Sequence, residues 1–164
     1  MRNRIWSELT QSKHNIEFIC LYIEYQNNKI KFFNIFTLIF SSAGVMGWKF
    51  WDYMPFISCI IISLVSLLKL IKPHFIPTEK EIINIDKIHE FYEDYYNKLE
   101  KLWYNLENNI INEQEATDKF YKIKRTELVI NPIINNVLKN KPKKIIDKAK
   151  ENSDSYFNQT FINN

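Results

Sequence analysis

Two apolar runs, one directly after the other, constrain this chain more than any other feature. "FFNIFTLIFSSAGVMGW", Phe32 to Trp48, is 17 residues without a formal charge, bracketed by Lys31 and Lys49. A second run, Tyr53 to Leu68, has 16 such residues and continues through Lys69 to Ile71. A bilayer span takes about 17–25 residues, and lysines at the ends can snorkel and lengthen its effective reach. Only "KFWDYMP" lies between the runs. The sequence therefore predicts an all-α membrane protein with a transmembrane hairpin at 31–72, its spans at about 32–51 and 53–71. The alternative is a hairpin buried in a soluble α-helical protein.

The flanks favour the membrane and suggest an orientation. Trp48, Trp51 and Tyr53 cluster at the hairpin tip, where amphipathic rings suit an interface. The tip carries Lys49 and Asp52, whereas the open ends carry Lys29, Lys31, Lys69, Lys72 and Lys80. The positive-inside bias then places both termini in the cytoplasm. No cleaved leader is expected, because the first apolar run begins some thirty residues in, behind a charged helical segment.

Both glycines of the chain, Gly44 and Gly47, fall inside the first run. Glycine costs a helix interior about 0.5–1 kcal/mol relative to alanine, so its use there points to a close approach. Asn34, Thr37, Ser41 and Gly44 recur at steps of three, four and three, one polar and small stripe that Trp48 closes. Ala43 and Gly47 form a small pair on an adjoining face, and the second span offers Cys59, Ser63 and Ser66. Small faces let helices approach in lipid, where dispersion and hydroxyl hydrogen bonds drive association. The stripe reads as a seam within the hairpin, a subunit interface or a weakly polar pore lining.

Helices flank the hairpin. Residues 1–30 read as an amphipathic helix with Leu9, Ile16, Ile19 and Ile23 near one face, running into the first span. After the second span, Pro73 and Pro77 are expected to break the chain twice, and Thr78 with Glu81 makes a capping box. Within the predicted cytoplasmic region 73–164, a helix at about 79–110 places Ile85, Ile88, Tyr92, Tyr95, Leu99, Leu102 and Leu106 at alternating steps of three and four. That is a heptad seam for a partner helix, in another subunit or in the same chain. One internal candidate starts at Asn112, capped towards Glu115, with Ala116, Phe120 and Ile123 as its stripe. Pro132 and Pro142 punctuate the end, with a short helix between them and a last amphipathic helix over 143–160.

Charge is segmental. Residues 1–72 carry 8 basic and 4 acidic side chains, 73–121 carry 5 and 11, and 122–164 carry 9 and 4. The acidic helix and the basic tail could attract one another, and Lys139, Lys141, Lys143, Lys144 and Lys148 are candidates for anionic lipid contact beside ordinary solvated surface. No glycine-rich phosphate loop, HExxH, CxxC or nucleophile elbow occurs. His14 with Glu17 on one helix face reads as an ion pair, and His89 beside Glu90 is commonplace in a charged helix. An enzyme, a cofactor, a metal and a nucleic-acid partner are not expected.

The order of helix, short hairpin and helical tail resembles the SLATT group of bacterial two-transmembrane effector proteins. The stretches that carry the resemblance are "FFNIFTLIFSSAGVMGW", "FISCIIISLVSLLKLI" and "YEDYYNKLEKLWYNLE". It covers nearly the whole chain as an architecture, with no diagnostic motif. The resemblance implies an inner-membrane effector of antiviral defence that oligomerises and permeabilises the membrane on a signal from a sensor or nucleotide-synthesising partner. The alternative is a membrane anchor whose cytoplasmic helices dock such a partner.

Overall fold

The computed structural model describes the backbone at residues 1–50, 55–138 and 141–162, and side chains at 1–42, 59–138 and 141–161. The regular elements among the described residues are all helices, without a strand: α1 Arg2–Phe50, α2 Pro55–Phe75, α3 Glu79–Glu107, α4 Glu113–Arg125, α5 Glu127–Val137 and α6 Lys143–Phe157. A π-helical turn, Asn158–Ile162, follows α6. The chain divides into two compact units, Met1–Ile23 with Glu81–Asn164, and Glu24–Lys80. Helix α1 contributes to both, its first part to the bundle and the rest to the second unit.

The first unit is a helical bundle with a closed core. All seven residues of the α3 seam are buried, and so are Leu9, Ile16 and Ile19 of α1, Ala116 and Phe120 of α4, and Ala149 and Phe157 of α6. The heptad seam is therefore filled by helices of its own chain. Aromatic rings close one side: Trp6 meets Trp103 at 5.1 Å, Phe157 at 5.3 Å and Phe161 at 5.2 Å between centroids. Burial of each large apolar side chain contributes about 1.5–3 kcal/mol.

Local signals fix the helix ends. Asn109 sits at φ 56°, Ile110 N–H donates to Asn105 C=O at 2.9 Å, and Asn109 N–H donates to Leu106 C=O at 3.2 Å. That is a Schellman end with asparagine in the left-handed position that glycine usually takes. Helix α4 starts as its spacing predicts, with Asn112 Oδ1 accepting from Glu115 N–H at 2.9 Å.

Two proline expectations are corrected. Helix α2 runs through Pro73 to Phe75, so the chain breaks only at Ile76–Thr78. Pro132 lies inside α5, which begins five residues earlier at Glu127, instead of marking a boundary. A proline removes one hydrogen bond and kinks a helix without having to end it. The attraction expected between acidic α3 and the basic tail is also absent as ion pairs among the described residues. Helix α6 is held instead by apolar and aromatic contacts, including Tyr156 against Tyr96.

The second unit has the opposite character. Phe32 is 73% exposed, Leu38 67% and Leu70 77%, and Ile39, Leu64, Leu67 and Phe75 are exposed with them. Among the described residues one window, within Cys59–Glu107, is long and apolar enough to cross a membrane, and only 11% of it is buried. Its apolar part is α2, since α3 is charged along its length. A core helix of a soluble protein would be mostly buried, and this one is not. The first apolar run continues α1 as helix to Phe50, but its side chains from residue 43 onward lie outside the described residues.

Candidate functional site

The polar stripe of α1 lines a cleft. Asn34, Thr37 and Ser41, with Phe33 and Leu38, face Lys69 and Lys72 of α2 around a space of about 490 Å³. Lys72 Nζ donates to Asn34 Oδ1 at 3.4 Å and stands 5.6 Å from the centre of the Phe33 ring. Seven residues separate Asn34 from Ser41, about 10 Å of helix rise, so the cleft follows two turns of α1.

On α2 the side chains that meet this stripe differ from those expected. Cys59, Ser63 and Ser66 are exposed, and Ser66 Oγ turns back to Ile62 C=O at 2.9 Å. The α2 residues that line the cleft are Lys69, which is exposed, and Lys72, which is half-buried, and they follow the buried Val65 and precede the buried Ile76 at steps of four, three and four. Ser66 lies about 100° round the helix from Val65, and its neighbours at 59 and 63 share that outer face. In the sequence the two lysines look like charges at the open ends of the hairpin. Their 3–4 spacing with Val65 and Ile76 is the signal that could have placed them on the cleft.

Thr37 Oγ1 is buried without a hydrogen-bond partner. Serine and threonine in helices ordinarily return their proton to the carbonyl four residues back, as Ser42 does to Leu38 at 2.9 Å. A buried hydroxyl left unpaired costs about 1–3 kcal/mol. Gly44 and Gly47 continue the same helix, but their surroundings lie outside the described residues, as do Trp51, Tyr53 and Lys139. Lys141, Lys143, Lys144 and Lys148 are exposed on and before α6.

The bundle holds a second cluster that spacing did not reveal. Cys20 Sγ lies 3.0 Å from His89 Nε2, and His89 Nδ1 lies 3.8 Å from Glu93 Oε2. The order of thiol, imidazole and carboxylate matches that of a nucleophilic site. Burial first, and then the charges of Glu17 and Glu93, push the thiol pKa up, the direction opposite to activation. The expected His14–Glu17 pair is replaced by Lys13 to Glu17 at 3.0 Å, because Lys13 stands one full turn away and reaches the carboxylate directly. His14 Nδ1 is left buried and unpaired, beside a cleft of about 240 Å³ with Thr10, Ser153 and Asp154. Among the described residues no group of three or more His, Cys, Asp or Glu side chains could hold a metal ion.

No family model, no curated protein and no solved structure matches the chain.

Proposed function

We propose that the chain is a membrane-embedded effector that self-associates and permeabilises the bilayer when triggered. The observation that carries the reading is the reversed character of residues 24–80. Among the described residues Phe32, Leu38, Leu64, Leu67 and Leu70 are exposed, while Asn34, Thr37, Ser41, Lys69 and Lys72 line one cleft. Water is a poor solvent for that surface and hydrocarbon a good one, while intramembrane polar groups mark pathways or binding sites. On this reading residues 32–51 form the first span, 53–71 the second, and both termini lie on the cytoplasmic side of a bacterial inner membrane. The resemblance to SLATT effectors supports an antiphage role with a sensor or nucleotide-synthesising partner.

The bundle receives the signal and the spans deliver the effect. Its seam is occupied within one chain, so subunits meet through the spans unless a trigger repacks α3. Ion flux through proteoliposomes containing the full chain tests this. Flux that collapses in Ser41→Leu, which puts a larger apolar side chain on the polar stripe, supports the stripe as the path. Undiminished flux removes these residues from it.

A second reading, the passive anchor, is favoured by the closed core of the bundle, which can dock a partner without the spans taking part. Replacing residues 24–80 by an unrelated hairpin separates the two. An anchor keeps its function and an effector loses it.

A further inference from the structure

We infer that the cleft between α1 and α2 binds a phosphate oxyanion, held by Lys69 and Lys72 and completed by the Thr37 hydroxyl. The inference rests on the reading of residues 24–80 as membrane-embedded.

Three observations carry it. Charge is the first. Between residues 25 and 78 the sequence has Lys29, Lys31, Lys49, Lys69 and Lys72 against a single acid, Asp52. Neither Lys69 nor Lys72 has an ion pair among the described residues, yet both line one cleft bordered by exposed leucine and phenylalanine. Two ammonium groups one turn apart on α2, beside surface that hydrocarbon would cover, call for an anion.

The second observation is the hydroxyl. Thr37 lines the cleft and its enclosed Oγ1 makes no hydrogen bond, so the hydroxyl has none to give up when the side chain turns towards the cleft. The third is the remaining chemistry. Asn34 and Ser41 add an amide and a hydroxyl, donors suited to phosphate oxygens, and among the described residues no carboxylate lines the space to repel them. A divalent cation fits poorly, because two lysines face it. The phosphate can come from the headgroup of an anionic lipid or from a free phosphate in the cytoplasm. Both present the same oxygens to the same donors.

The test uses the full chain purified in detergent, with phosphatidylglycerol, phosphatidylcholine and inorganic phosphate as probes and native mass spectrometry as the readout. Phosphatidylglycerol is expected to be retained over phosphatidylcholine, whose own quaternary ammonium cancels the phosphodiester charge that the two lysines would otherwise neutralise. The preference should fall roughly fivefold for each of Lys69→Gln and Lys72→Gln, and about 30-fold for the pair. Thr37→Val, which leaves charge and shape in place, should weaken it as well, whereas Lys29→Gln with Lys31→Gln should not. Competition by inorganic phosphate assigns the site to free phosphate as well as lipid, and lack of competition assigns it to lipid alone. Equal retention of the two lipids, with inorganic phosphate unbound, overturns the inference. So does an equal loss on removing Lys29 and Lys31. Alkaline carbonate extraction of membranes keeps the two claims apart. Release of the chain defeats the embedded reading, whereas a retained chain without phosphate preference defeats only the site.

Discussion

Lys124 Nζ lies 2.6 Å from Glu8 Oε1, joining residues 116 positions apart, and 2.9 Å from Glu127 Oε2. Tyr95 OH donates to the same Glu8 oxygen at 3.1 Å. One cation at the end of α4 thus ties α1, α3 and α5 together. Burial acts to lower the Lys124 pKa, but the hydrogen bonds and charges of Glu8 and Glu127 outweigh it and hold the pKa up.

Removing that cation leaves two carboxylates facing one another, each side chain 19% exposed. Lys124→Met is expected to lower stability by about 1 kcal/mol, a modest figure because the lysine itself is 37% exposed and screened. Thermal unfolding followed by helical circular dichroism measures it. A midpoint unchanged or raised would show that the network does not hold the helices.

Alkali should loosen the bundle. Tyr92 is pushed up to about 12, by burial first and then by Glu127 and Glu8, and Tyr95 is raised for the same reasons from its ordinary 10.0. The unfolded chain ionises these phenols at its ordinary pKa while the folded chain keeps them neutral. Their contribution is therefore fully present below pH 10 and is lost as pH rises through the folded values. Lys124, also raised, adds a loss in the same direction. Stability measured against pH should fall above about 10, with a shallower slope in Tyr95→Phe. An unchanged slope in that variant would contradict the assignment.

Leu99 is fully buried on the α3 seam, whereas Leu128 is 71% exposed on α5. Leu99→Ala should cost about 2–5 kcal/mol, and Leu128→Ala within about 0.5 kcal/mol of nothing. Denaturant titration of the two variants gives the comparison. Similar costs would mean that the seam is not the core of the folded bundle.

Cys20 is reachable from solvent, but partial burial of its sulfur and the charges of Glu17 and Glu93 raise the thiol pKa. Alkylation by iodoacetamide should therefore run slower than that of an unperturbed thiol at neutral pH, and accelerate as pH rises past 9. Reaction faster than the reference would show that His89 activates the sulfur.

Much of the bundle was legible because its signals are local or periodic. The 3–4 spacing from Ile85 to Leu106 marks residues that are all buried, and Asn112 caps α4 as its distance to Glu115 suggests. The cleft was legible on one wall only. Asn34, Thr37 and Ser41 stand out as polar residues in an apolar run. Lys69 and Lys72 near the end of the second run look like flanking charges, because one charge by itself does not say which face it occupies. Long-range pairs such as Cys20 with His89, 69 residues apart, and Lys124 with Glu8 depend on tertiary packing and leave no trace in spacing. Proline misled for a related reason. The rule that it ends helices holds for an isolated helix, and the helices here persist through Pro73 and Pro132.

The central claim is that residues 24–80 permeabilise a membrane, and membrane potential tests it most directly. The full chain is expressed from a tightly controlled promoter while a voltage-sensitive dye and growth are followed together. High expression raises subunit density, so mass action favours assembly in place of the trigger. Depolarisation that precedes growth arrest, and that is lost in Ser41→Leu at equal membrane abundance, is the predicted result. A normal potential with the chain abundant in the membrane fraction would contradict the effector and leave the anchor.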